Sequence, residues 1–239
     1  MNARTPLGLL TGLLRAVRTY PRRSPLTLVY VGLLLLGHAW VEYGLTDERA
    51  DGLRNYISTN LDNLHDHPVR ALVGSALVYD GTLTDIASTG FGGTLITLGL
   101  GIVVGLAWAE RRFGTPRAAA VFLAGHVGAT LITALVILLA LHQGWYPESV
   151  RDASDYGISY GAQAALAFAT LALPRWARLP WAAFVLAWPL AGDHAWPGPL
   201  PEFTTVGHLL AAALGFALAA ATARSRRRGT TLATARTGG

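Results

Sequence analysis

The chain contains no cysteine and no lysine, and it is poor in charge. Charged residues make up 14% of its 239 positions, against roughly a quarter in an average soluble domain. The absence of cysteine excludes a disulfide-stapled secreted module and leaves the redox compartment open. The absence of lysine means that all 19 basic residues are arginine, set against 14 acidic ones. The scarce charges also leave long gaps: 24 residues between Asp85 and Glu110, 30 between Arg117 and Glu148, 19 between Asp155 and Arg175, and 21 between Glu202 and Arg224. A membrane-spanning helix needs about 20 apolar residues, and a charge at its centre costs roughly 2.5–3.5 kcal/mol or more. Repeated gaps of this length exclude an ordinary soluble domain, and a hydrophobic fraction of 52% excludes a disordered one.

What is present arranges itself into six apolar spans, at about 26–45, 89–109, 118–142, 156–173, 179–192 and 204–223. The fifth is short and contains Pro189. A nine-residue apolar piece, 71–79, is too short to cross and reads as interfacial or re-entrant. These spans predict an all-α integral membrane protein: a basic segment over 1–24, a six-helix membrane domain over 25–223, and a basic, irregular tail over 224–239. With the N-terminus inside, 15 of the 19 arginines fall on the inner side; only Arg49, Arg54, Arg70 and Arg151 fall outside. The positive-inside rule therefore predicts both termini in the cytoplasm. It also accounts for the net charge of +5 without nucleic acid.

Polar side chains within a span require a reason. Spans four and six both enter from the outer side. Ser159 lies about 5 Å along the fourth and His208 about 6 Å along the sixth, so one serine and one histidine share a depth. Imidazole can take the serine proton and return it to a leaving group, and with no carboxylate at that depth the pair forms a dyad. Gly157 and Gly161 on span four, and Gly207, Ala211 and Gly215 on span six, form small-residue stripes that let helix backbones approach. Each residue alone also has a structural reading: Ser159 bonded to its own helix, His208 as an interhelical bond.

At these residues the sequence resembles the rhomboid family of intramembrane serine proteases, in a divergent bacterial form. Glu110-Arg111-Arg112-Phe113-Gly114 is similar to the signature closing that family's second helix. Gly157-x-Ser159 resembles its nucleophile motif, and Gly207-His208 with Ala211 and Gly215 resembles its sixth-helix pattern. The 71–79 segment resembles its membrane-embedded loop. The resemblance implies a six-helix bundle in a bacterial plasma membrane, with Ser159 and His208 catalytic and no metal or organic cofactor. Substrate helices would enter beside span five. The family's oxyanion pair corresponds to Thr94 and Leu98, of which only Thr94 is a donor. The aromatic that packs on the histidine corresponds to Gln163, and Tyr160 follows the nucleophile where glycine or alanine is common. Thr94, Gln163 or a backbone N–H near Ser159 are the candidates for oxyanion support.

The remaining polar clusters read as structural. His65-Asp66-His67 and Asp193-His194 lack a third metal ligand. His126 sits near mid-membrane as an interhelical bond, and His38 and Glu42, one turn apart, are expected to pair. Three functions stay open: a protease acting on transmembrane helices, a catalytically inactive relative that binds such helices as clients, and, less favoured, a small transporter, which lacks an intramembrane carboxylate pair. The oligomeric state is not legible.

Overall fold

The structure, a computed structural model, describes residues 11–12, 18–79, 81–192 and 198–237, with side chains as far as Arg226. Among the described residues there is no strand. Nine helices are used below: α1 (Pro25–Gly44), α2 (Asp47–Ile57), α3 (Leu61–Asp66), α4 (Pro68–Ser75), α5 (Thr89–Phe113), α6 (Thr115–His142), α7 (Ser159–Phe168), α8 (Arg175–Ala191) and α9 (Phe203–Thr237). Four of them, α1, α5, α6 and the Phe203–Arg226 part of α9, are long and apolar enough to cross a membrane. Helix α9 continues to Thr237, taking in the basic tail that composition leaves irregular.

Outward-facing leucines show what surrounds the bundle. Leu36, Leu139 and Leu179 are 71%, 58% and 78% exposed. Apolar exposure on this scale fits lipid and not water. The interior is built the other way, around α7. Every residue from Tyr160 to Phe168 is buried. The segment is rich in alanine, and its neighbours bring small residues to it. A Cβ on Gly101 of α5 would stand 2.8 Å from the Ala162 Cβ, one on Gly125 of α6 2.3 Å from the Ala164 Cβ, and one on Gly215 of α9 2.3 Å from the Ala164 carbonyl oxygen. Without a hydrophobic drive between helices in lipid, such close backbone approach is what holds them.

The expected stripes divide their work. Gly207, Ala211 and Gly215 do face α7, with Ala211 fully buried and the Tyr160 ring lying where a Gly207 side chain would stand. Gly161 instead faces Phe122 of α6. Gly157 adopts φ +114°, a left-handed conformation that glycine adopts without penalty, and shapes the turn before α7.

The end of α5 explains the Glu110 motif. Its buried carboxylate accepts hydrogen bonds from the backbone N–H of Leu26 and Thr27, both at 2.9 Å, and from the hydroxyls of Thr27 and Thr115, both at 2.8 Å. The first N–H groups of a helix have no intrahelical partner. Pro25 heads α1, and Glu110 serves as its cap from another helix. Gly114, at φ +87°, then turns the chain directly into α6.

The segment between α1 and α5 is held to the bundle at α4. The His126 Nε2 of α6 lies 3.2 Å from the Ser75 hydroxyl and 2.9 Å from the Leu72 carbonyl, so this histidine is an interhelical bond as its depth suggested. Tyr30 of α1 donates to the Ala76 carbonyl at 2.6 Å. On α1, Glu42 accepts from Arg54 at 2.8 Å while His38 packs on Tyr79. The longer reach of Arg54 from α2 thus displaces the expected His38–Glu42 pair.

Candidate active site

Helix α7 begins at Ser159 itself, and not at 156, because the Gly157 turn precedes it. Ser159 therefore stands in the first helical turn, where backbone N–H groups lack intrahelical acceptors and the helix dipole presents its positive end. Two contacts fix the approach to this turn. The Gly157 N–H donates to the Ser75 carbonyl at 3.1 Å, and the Asp155 backbone is clasped by Ser58 and Thr59. The loop between α1 and α5 thus braces the residues ahead of the serine.

Ser159 and His208 line one cavity of about 760 Å³, open toward the flank of the bundle between α5 and α8. Both are half-buried. No hydrogen bond joins them in this structure, and the Ser159 hydroxyl has no hydrogen-bond partner among the described residues. His208 is oriented from behind: its Nδ1 lies 2.7 Å from the Thr204 carbonyl. A carbonyl only accepts, so Nδ1 carries the proton and Nε2 is left with the lone pair of a base. The Tyr160 ring meets the imidazole edge-to-face, with centroids 5.0 Å apart and planes at 80°. Tyr160 is itself tethered, its hydroxyl donating to the Asp155 carboxylate at 3.1 Å. Burial pushes the Asp155 carboxyl up to about 6, against hydrogen bonds from Tyr160 and Thr59 that favour its ionised form. The aromatic contact to the histidine thus comes from the residue directly after the serine, not from the position one turn on.

That later position, Gln163, has another occupation. Its Nε2 donates to the Val185 carbonyl of α8 at 2.6 Å. In a continuous helix this carbonyl would accept from the N–H of residue 189, but residue 189 is proline and has none. Gln163 therefore satisfies the acceptor that Pro189 leaves orphaned, and joins α7 to α8. Thr94 is likewise committed. Its hydroxyl accepts from Tyr79 and lies within donating distance of the Thr82 and Gly90 carbonyls, at 2.7 and 3.1 Å. Neither Thr94 nor Gln163 lines the cavity.

Thr97 does, together with Ile96, Gly93 and Trp188. Its hydroxyl has no hydrogen-bond partner among the described residues. The family resemblance passes over it, since it sets the oxyanion pair at Thr94 and Leu98; α5 here runs as a π-helix from Leu95 to Leu106. The wider π turn shifts which residues share a face. A local phase change of this kind leaves no mark in a run of leucine, isoleucine and glycine. Across the cavity, Trp188 of α8 lies over Gly93, where a Cβ would be 3.7 Å from the indole. Among the described residues no cluster of His, Cys, Asp and Glu could hold a metal ion. Asp193, His194 and the neighbouring Trp196 lie outside the described residues.

A family model described as "Rhomboid-like protein" matches residues 19–228. The chain belongs to the rhomboid-like family. That membership, with the apolar helices, makes it an integral membrane protein. No curated protein and no solved structure matches it.

Proposed function

We propose that this rhomboid-like protein is an intramembrane serine protease using Ser159 and His208, with α7 and α8 completing six spans and both termini in the cytoplasm. The observation that carries the reading is the 2.7 Å contact between the His208 Nδ1 and the Thr204 carbonyl. With Nδ1–H held by Thr204, the free Nε2 is a base on the wall of the cavity that also holds the serine hydroxyl. In the reaction the Ser159 oxygen bonds to the substrate carbonyl carbon as its proton passes to Nε2. The tetrahedral oxyanion is met by the first-turn N–H groups of α7 and by the Thr97 hydroxyl. As the C–N bond breaks, His208 returns the proton to the leaving amine, and a water activated by the same imidazole then releases the acyl group from Ser159. The gap between serine and imidazole is ordinary for an unliganded site, where catalytic contacts tighten only with substrate. The substrate is a transmembrane helix unwound near the outer face. It enters between α5 and α8, where Trp188 lies against Gly93 and α8 carries Pro180 and Pro189 inside the helix.

A second reading is an inactive relative that holds transmembrane helices in the same cavity. The unmade Ser159–His208 hydrogen bond and the commitment of Thr94 elsewhere favour it. Cleavage of single-span substrate proteins in proteoliposomes separates the two. The proposal expects products from wild type and none from Ser159→Ala, with Thr97→Val slower by roughly 10²-fold. Binding of the same helices without products from either protein favours the second reading.

A further inference from the structure

At the end of the bundle opposite Ser159, two adjoining clefts of about 510 and 280 Å³ share Arg112, Phe113 and Arg226. Arg117 lines the first, and Arg175 and Arg178 line the second. Among the described residues no acidic side chain lines either cleft. The only carboxylate nearby in the sequence, Glu110, is buried against the α1 N-terminus and Thr115. Among the described residues Arg112, Arg117, Arg175 and Arg178 form no ion pair, whereas Arg54 and Arg151, on the other side of the bundle, both do. Neutral groups hold several of the guanidiniums in place: Arg112 lies over the Phe113 ring at 5.7 Å, Arg117 donates to the Phe113 carbonyl at 3.2 Å, and Arg178 to that of Leu173 at 3.1 Å. Arg226 lies over the same ring at 5.0 Å.

We propose that this arginine cleft binds the phosphate of an anionic phospholipid headgroup. Guanidinium is the side chain best matched to phosphate oxygens, which it can hold bidentately. Basic pockets between helices at the cytoplasmic surface are where such headgroups bind. The choice of a lipid over a free phosphate rests on the neighbours. Trp176 and Leu179, interleaved with Arg175 and Arg178 on α8, are 81% and 78% exposed, an arrangement suited to acyl chains and headgroups together and not to water. The inference stands whether or not Ser159 is catalytic.

The test uses the full chain in detergent, with bound lipid counted by native mass spectrometry. Dioleoylphosphatidylglycerol and dioleoylphosphatidylcholine compete at equal concentration. Wild type is expected to retain the anionic lipid preferentially. Arg112→Gln with Arg175→Gln should reduce that preference by roughly fivefold per arginine removed, while Arg49→Gln with Arg151→Gln, on the opposite side, leaves it unchanged. Arg175→Gln with Arg178→Gln, both at exposed positions on α8, gives the same reading should the first pair not fold. Equal retention of the two lipids, or a preference that survives both cleft variants, overturns the proposal. So does displacement of the lipid by inorganic phosphate at matched concentration, which would make the site one for a soluble anion.

Discussion

Three side chains that do not line the cavity but brace its surroundings have roles that can be measured one at a time. Gln163 supplies the donor for the Val185 carbonyl that Pro189 cannot serve. Gln163→Leu leaves that buried acceptor unsatisfied, and it should lower stability by about 1–3 kcal/mol in a denaturant titration of the detergent-solubilised protein. Asp155 behaves differently. Its carboxyl stays protonated to about 6 in the fold, while the ordinary carboxylate ionises near 3.8. In that window the unfolded chain gives up its proton first, so the Asp155 contribution to stability falls as pH rises from about 4 to 6 and is level above. Asp155→Asn should remove that slope while keeping an acceptor for the Tyr160 hydroxyl, which thermal melts across this pH range would detect. Tyr160 matters because its ring sets the His208 edge. Tyr160→Leu is expected to lower turnover of a cleaved substrate more than it lowers stability, by giving the imidazole freedom to turn.

Among the helices, Glu110 ties α5 to α1 through four hydrogen bonds, one of them from Thr115 beside it. Glu110→Ala leaves the Leu26 and Thr27 N–H groups and two hydroxyls without their acceptor, at a cost of about 2–4 kcal/mol. Glu110→Gln, which keeps one acceptor oxygen, should cost less; unfolding of the two variants in mixed micelles gives the comparison. Much at this scale was legible beforehand. Charge-free gaps locate α5, α6 and α9, and the apolar run after Arg23 locates α1, since no other composition tolerates lipid; the depth count, by contrast, sets Ser159 about three residues into a helix that begins at Ser159 itself. The phase of α5 was not legible. A π-helical stretch costs no change in composition, and the resemblance points to Thr94 while the cavity wall carries Thr97. The same limit applies to Tyr160: a ring directly after the serine reads as an obstacle until the Gly207 backbone is seen to leave room for it. Helix α7 is shorter than its apolar stretch because Gly157 turns the chain before it and Ala169–Ala172 tightens into a 3-10 turn after it.

For the molecule as a whole, arginine placement and the cavity describe one oriented object. The arginine clefts lie at one end and Ser159 toward the other, so the two faces of the bundle differ in chemistry. A reporter active only outside the cytoplasm should be bright when fused after Asp62 or Asp152 and dark after Thr115 or at the C-terminus; a bright C-terminal fusion would contradict the six-span arrangement. The central claim, that His208 activates Ser159, is tested most directly by covalent labelling. An isolated membrane serine keeps its proton and hardly reacts, whereas one paired with a base does. Intact-mass analysis after treatment with a fluorophosphonate should show one adduct on the wild-type protein, none on Ser159→Ala, and labelling slowed by orders of magnitude on His208→Ala. Folded wild type that stays unlabelled, or labelling that persists in Ser159→Ala, would contradict the account.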